Sequence, residues 1–238
     1  MKYIFNFFLF TYFSFISLAI TSDTESNAKL FGSLPDVSNV KISPNGKFVG
    51  VQQRTEETIV VKIIDLDNAQ LLSVHNFGSK GQITDFFWAT DKRLVFTVAR
   101  ENSRNTEIYN VGQLVAANID GKRTKLIAGF GSAPDSRQGV RNRDRTNPDR
   151  PAIIVHRLPK DSNKILVSFF DNAGFNELAE LDINNGKVSY VTTSPVIYPN
   201  WIFNNEGKLM GVSSSTLENN SEIFLFKPNL PKGSLSSR

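Results

Sequence analysis

Apolar and polar positions along this chain alternate in a unit that recurs about four times. In each unit a bulky apolar residue precedes a short polar turn, and an apolar run rich in β-branched and aromatic residues follows it. Runs this short are typical of strands rather than helices. The four turns occupy residues 43–47, 89–93, 159–164 and 204–208.

The repeat divides the chain into units of about 45 residues, each with room for four short strands. Asp120-Gly121, between two apolar runs, is a strong hairpin signal inside one unit. Four strands in a unit of this length are typical of a β-propeller blade. We therefore predict an all-β fold, a partial β-propeller of about four four-stranded blades. The predicted propeller region covers residues 30–238, with units at about 37–77, 83–128, 152–193 and 196–226 and an insertion loop at 129–151.

The insertion loop mixes five arginines with three aspartates, and no aromatic residue lies among the arginines. Single-stranded nucleic acid is bound by basic grooves interleaved with aromatics, so we expect no nucleic-acid partner. The charges indicate a solvated loop, although a loop of this length also suggests a functional rim for substrate access. The charged residues are Arg137, Arg141, Arg143, Arg145, Arg150, Asp135, Asp144 and Asp149.

The first residues have the three-part layout of a secretory signal peptide, predicted over residues 1–22. Lys2 supplies a positive charge, an apolar stretch follows to Ile20, and cleavage is expected near Ala19 or Ser22. The alternative is a transmembrane anchor, because the apolar stretch approaches the length of a membrane span. No positive cluster follows it, so we predict a periplasmic or secreted protein with no membrane association after cleavage.

The amino-acid composition and net charge exclude few classes of protein. The chain has 238 residues, 40% hydrophobic and 21% charged, which is ordinary for a globular protein. It has no cysteine, so disulfides and thiol chemistry are excluded. The net charge of +4 indicates solubility and identifies no partner.

Candidate catalytic groups are few. His75 and His156 both fall in predicted strands, where imidazole more often serves packing than catalysis. No Gly-x-Ser-x-Gly nucleophile elbow is present, and the nearest approach, around Ser132, lacks the second glycine. The adjacent pair Glu56 and Glu57 has the position of a hairpin tip, although it would also suit the amino terminus of a peptide.

Candidate metal ligands are equally sparse. The acidic turn residues would suit calcium, but turn formation explains them without a metal. We therefore predict no catalytic, cofactor-binding or metal-binding residue and no cofactor. Trp88 and Trp201, each beside a repeat turn, are predicted to lie in the blade core. The acidic turn residues are Asp65, Asp67, Asp120 and Asp182.

Residues 34–47, which read Leu-Pro-Asp-Val-Ser-Asn-Val-Lys-Ile-Ser-Pro-Asn-Gly-Lys, resemble the first blade of exported bacterial serine peptidases of the prolyl oligopeptidase family. The likeness is to acylaminoacyl-peptidase-like members, and residues 83–96, 112–121 and 153–159 resemble later blades. The resemblance implies a seven-bladed propeller followed by an α/β-hydrolase domain that carries the catalytic residues.

This sequence has no segment that matches the catalytic motif of that family, so the resemblance assigns no catalytic residue. It implies a non-catalytic propeller portion that gates peptide access to a hydrolase domain, truncated as in a gene fragment. The alternative is a self-standing periplasmic β-propeller that binds a protein partner. A third reading, a hydrolase with an unrecognised site, is the least favoured because catalytic groups are scarce. The oligomeric state stays open.

Overall fold

Four antiparallel sheets follow one another along the chain in the computed structural model. The structure describes residues 36–78, 81–101, 108–129, 150–158, 163–170, 175–215, 221–226 and 235–237. The chain divides into two units, Met1–Asp36 and Val37–Arg238, and every strand described lies in the second. The all-β class and the repeat of four-stranded sheets are confirmed.

Each sheet is a meander in which consecutive strands pair antiparallel. Sheet 1 contains β1 (Val37–Ile42), β2 (Phe48–Arg54), β3 (Ile59–Asp65) and β4 (Leu71–His75). Sheet 2 contains β5 (Gly81–Thr90), β6 (Arg93–Glu101), β7 (Ile108–Asn118) and β8 (Lys125–Ala128). Sheet 3 contains β9 (Ala152–Arg157), β10 (Lys164–Phe170), β11 (Phe175–Asp182) and β12 (Val188–Ile197). Sheet 4 contains β13 (Asn200–Phe203), β14 (Leu209–Ser215), β15 (Ser221–Phe226) and β16 (Leu235–Ser237).

The conformations of the turns follow from their residue types. In the first turn Gly46 adopts a φ of 72°, a region that glycine enters without steric cost, and its N–H donates to the Ser43 carbonyl at 2.9 Å. The turn after the first strand and the turn after the third strand lie at the same end of a sheet, and a hydrogen bond joins them. In three sheets the residue after the third strand donates its N–H to the first turn: Leu66 to Lys47, Ile119 to Lys92 and Ile183 to Asn163, at 2.8 to 3.0 Å.

The hydrophobic core lies between consecutive sheets. Strand side chains alternate between faces, so one face of a sheet meets the preceding sheet and the other meets the following one. Phe86 and Phe96 of sheet 2 pack against Val61 and Ile63 of sheet 1. Gly50 leaves room for this contact, because a Cβ there would lie 2.5 Å from Cε2 of Phe86. Similar clusters join sheets 2 and 3 around Phe169, Ile127 and Leu181, and sheets 3 and 4 around Leu178, Trp201 and Val212.

Arg93, at the start of β6, clamps sheet 2 to sheet 3. Its side chain is buried, with Nε and Nη2 donating to the Ile183 carbonyl at 3.1 and 2.9 Å. Nη1 donates to Oδ1 of Asn118 at 2.7 Å and to the Arg123 carbonyl at 3.3 Å. Burial lowers the pKa of Arg93 below its ordinary value, and the neighbouring Arg123 acts in the same direction. One guanidinium therefore satisfies three acceptors of two sheets.

The boundary between the third and fourth units differs from the prediction. The sequence predicts that the third unit ends at about residue 193 and that the fourth begins at residue 196. In the structure β12 continues to Ile197, and the fourth sheet begins at Asn200. Because β12 is an edge strand with register shifts, it accommodates a proline that a central strand would exclude.

The carboxyl-terminal residues also differ from the prediction. The sequence loses its apolar period after residue 228, which predicts that the fourth unit ends at 226. The structure places a further strand at Leu235–Ser237, paired with β15 through Phe226 and Leu235. An edge strand needs only backbone N–H and C=O groups to pair, so the apolar period does not report it.

Candidate binding faces at the two ends of the array

Exposed large apolar side chains concentrate on the outer side of sheet 1 in the described part of the chain. Val61 and Ile63 of β3 point toward sheet 2, so alternation places their neighbours on the opposite side. We name this side the first open face. It consists of Val40, Ile42, Val49, Val51, Lys62, Ile64, Leu71 and Val74.

Strand register gathers these side chains into rows across the sheet. Val40 pairs with Val51, which pairs with Lys62, which pairs with Val74. Ile42, which pairs with Val49, is 62% exposed, and Val40 is 56% exposed. The face is closed at its other end, where Val60 is only 5% exposed. The open part is therefore a contiguous apolar patch around one lysine.

The outer side of sheet 4 forms a second, smaller patch. Trp201, Val212 and Phe224 are paired with one another and pack toward sheet 3. Their neighbours in the strands point away from it. We name this side the last open face, and it contains Ile202, Ser213, Ile223 and Leu225, of which Ile223 is 52% exposed.

Polar contacts on the inner side fix the strand that presents the first open face. Lys41 forms an ion pair with Asp85 at 2.5 Å, and Asn39 donates to the same carboxylate at 2.9 Å. Trp88 donates from Nε1 to the Lys41 carbonyl at 2.9 Å. These contacts bind β1 to β5, so Val40 and Ile42 are held outward by a strand with little freedom to turn.

The structure does not bring the two histidines together. His75 is buried in β4, where its ring centroid lies 4.8 Å from that of Phe96 and Nε2 lies 3.3 Å from Oγ of Ser73. Burial lowers the pKa of His75 to about 4, with the Asp120 carboxylate acting in the opposite direction. His156 lies in another sheet, with its ring 5.0 Å from that of Phe203. Both rings pack against aromatic side chains.

The carboxylates singled out from the sequence lie at turns. Glu56 and Glu57 are exposed between β2 and β3. Asp65, Asp120 and Asp182 each accept the N–H of the residue two positions later, at 2.7 to 3.0 Å. Among the described residues, no group of three or more histidines or carboxylates is arranged to hold a metal ion.

Other predicted features fall partly outside the described residues. Ser132, the arginines from Arg137 to Arg145, the turn at 159–162 and the signal peptide all lie outside them. Arg150 is described, and its Nη1 lies 2.8 Å from the Glu177 carboxylate. No helix in the described part of the chain has the length and hydropathy to cross a membrane.

Sequence reasoning recognised the strand behind the first open face but not the face itself. The isoleucine and valine content of residues 58–66 predicts a buried strand. In the described part of the chain, a hydrophobic cluster covers the side of β3 that faces sheet 2, and on the other side only Val60 is buried. The tryptophans, predicted as blade core, lie at the joints between sheets, where Trp201 donates from Nε1 to Oγ of Ser168 at 3.1 Å.

Sequence and structural similarity define the class of protein as a β-propeller. A family model described as "Lactonase, 7-bladed beta-propeller" matches residues 14–117, which cover sheet 1 and most of sheet 2. Oligogalacturonate lyase in complex with manganese aligns over 82% of this chain and 52% of its own, with a TM-score of 0.51 and 10% identity. No curated protein sequence matches the chain.

Two archaeal peptidase structures are also similar. The β-propeller domain of the Trilobed protease from Pyrococcus furiosus has a TM-score of 0.49 and 13% identity, over 84% of this chain and 56% of its own. The acylaminoacyl peptidase of Pyrococcus horikoshii has a TM-score of 0.46 and 12% identity, over 86% and 32%. The chain thus spans 32% to 56% of the lengths of these three structures. The propeller fold rests on the family model and on the four described sheets, and the resemblance to the prolyl oligopeptidase family stays a prediction.

Proposed function

We propose that this chain is a non-catalytic β-propeller module that binds protein through its open apolar faces. The first open face carries the proposal. Soluble proteins rarely expose contiguous apolar patches, and those that do commonly use them as interaction surfaces. Burying apolar surface is worth about 25 cal/mol per Å², so side chains as exposed as Ile42 and Val40 offer a substantial gain to a partner that covers them.

A narrower form of this proposal follows from the sequence resemblance. In it the module is the propeller portion of a peptidase of the prolyl oligopeptidase type and gates peptide access to a hydrolase domain. The other form is a self-standing propeller with a protein partner. Both place the chain outside the cytoplasm, in the periplasm or the medium, because both rest on cleavage of the predicted signal peptide.

We expect the purified chain to hydrolyse neither chromogenic peptides nor sugar lactones. Nucleophilic catalysis needs a nucleophile beside a base, and the two histidines pack against aromatic rings in separate sheets. Lactones belong in the assay because of the family model that matches the amino-terminal half. Product release would be followed with the wild type, His75→Gln and His156→Gln. Turnover by the wild type that either substitution abolishes would overturn the non-catalytic proposal.

We expect a photo-crosslinker at position 42 to capture a protein in the native host. Benzoylphenylalanine would replace Ile42 on the first open face and, as a matched control, Tyr198, which is 72% exposed and lies outside both open faces. Irradiation is expected to give a discrete protein adduct from position 42, several-fold stronger than from position 198. Equal or absent adducts at position 42 would contradict the proposal that this face binds protein.

A further inference from the structure

We infer that the occupant of the open faces is a second copy of this chain, joined head to tail so that two arrays close one ring of eight sheets. The inference deepens the proposed function and rests on it. In the assembly the first open face of each copy packs on the last open face of the other.

The described sheets at the two ends of the array do not cover one another. The strands with substantial mutual contacts all lie in the same sheet or in consecutive sheets. Ile42 on sheet 1 and Ile223 on sheet 4 are both more than half exposed, so neither face covers the other. The described part of each copy therefore presents two exposed apolar faces, one on sheet 1 and one on sheet 4.

The two faces are opposite halves of a joint that the chain already makes three times. At every internal joint, the outgoing side of one sheet packs on the incoming side of the next, and both sides are apolar. The last open face is an outgoing side, since sheet 4 receives sheet 3 on its other side. The first open face is an incoming side, because sheet 1 packs on sheet 2 with its other side. A second copy offers each face the type of surface that completes the joint.

Symmetry and size both suit two copies. A head-to-tail contact produces a closed ring when repeating its rotation returns to the first copy. Two copies of four sheets give eight sheets, which is within the usual range of about four to eight propeller blades. Strands lie about 4.8 Å apart and rise about 3.3 Å per residue, so sheets of this length present roughly 300 to 400 Å² each. Two whole faces would bury at most about 700 Å² per copy, somewhat below the roughly 800 Å² per partner of a standard-size interface.

The test is the molar mass of the full chain, as the host cell processes it, measured by light scattering after size-exclusion chromatography. Protein concentrations run from about 1 to about 100 µM, roughly the range in which such an interface dissociates. We expect twice the monomer mass for the wild type. Ile42→Glu on the first open face and Ile223→Glu on the last should each weaken dimerisation about a hundredfold or more, because each places an unpaired charge in an apolar joint. Tyr198→Glu is the matched surface control and should remain dimeric.

Mixing the two variants identifies the geometry. A head-to-tail pair of Ile42→Glu with Ile223→Glu has one joint free of substitutions, so the mixture should dimerise more tightly than either variant alone. A dimer through two first open faces would instead leave Ile223→Glu fully dimeric and would overturn the ring. The melting temperature of each variant, measured by circular dichroism, should match that of the wild-type monomer. If either variant melts at a lower temperature, the experiment is repeated with Val40→Glu and Leu225→Glu in place of the first pair.

A monomeric wild type at every concentration would also overturn the inference. The proposed function is tested separately by the adduct at position 42. A monomeric chain that crosslinks to a different protein leaves the binding function standing and removes the second copy. An adduct of twice the chain mass supports both.

Discussion

Replacement of Arg93 by methionine is expected to lower the free energy of unfolding by about 3 kcal/mol, because buried neutral acceptors would lose a charged donor. Methionine fills much of the same volume and donates no hydrogen bond. The Ile183 carbonyl, Oδ1 of Asn118 and the Arg123 carbonyl would lose the donors that they share. Hydrogen bonds to charged groups contribute about 1.5–3 kcal/mol each, and a buried acceptor left alone adds a desolvation cost.

Urea denaturation followed by circular dichroism would measure this loss. Arg93→Lys is the informative partner variant, because it keeps the charge but replaces a planar fork by a single ammonium group, and we expect an intermediate loss. Arg54→Met is the matched control at an exposed arginine and should change stability by less than about 0.5 kcal/mol. An Arg93→Met protein within about 1 kcal/mol of the wild type would show that the clamp between sheets 2 and 3 is unimportant for stability.

The role of Arg93 marks the limit of what the sequence predicts. Its position at the end of the second repeat turn follows from local chemistry, since Asp91 and Lys92 occupy a turn between apolar strands. Its principal acceptor, the Ile183 carbonyl, lies 90 residues away in the next sheet. No periodicity or turn signal specifies that contact, because it depends on how two sheets stack.

The two tryptophans illustrate the same division. Their place beside repeat turns predicts burial. The hydrogen bonds that explain why an indole is used, from Trp88 to the Lys41 carbonyl and from Trp201 to Ser168, cross to the preceding sheet. Alternation of side chains along a strand likewise implies that sheet 1 has two faces. Which of them is covered depends on the order of the sheets, so the first open face emerges only from the structure.

Acidification from pH 6.5 to pH 4 is expected to remove up to about 3 kcal/mol of stability through His75 alone. Its pKa is about 4 in the folded protein against 6.5 in the unfolded chain, and each unit corresponds to about 1.36 kcal/mol. Because the folded state disfavours the proton, this contribution is complete above pH 6.5. It declines as the unfolded chain takes up the proton and is lost by about pH 4. The cause is burial beside Phe96, which removes the imidazolium from water.

The contribution of His75 is separable from that of the carboxylates, which also titrate as the pH falls, by comparison with His75→Gln. Glutamine keeps a polar side chain of similar reach to Ser73 and does not titrate. Unfolding free energies of both proteins would be measured in urea at four pH values from about 7.5 down to about 4.5, which span most of the interval between the ordinary histidine pKa of 6.5 and the folded-state pKa of about 4. We expect the two curves to run parallel above pH 6.5 and to converge below it, because only the wild type must exclude a proton from a buried ring. Curves that stay parallel over the whole range would contradict the neutral, buried state of His75, and with it the tight packing of β4 against sheet 2 that produces it.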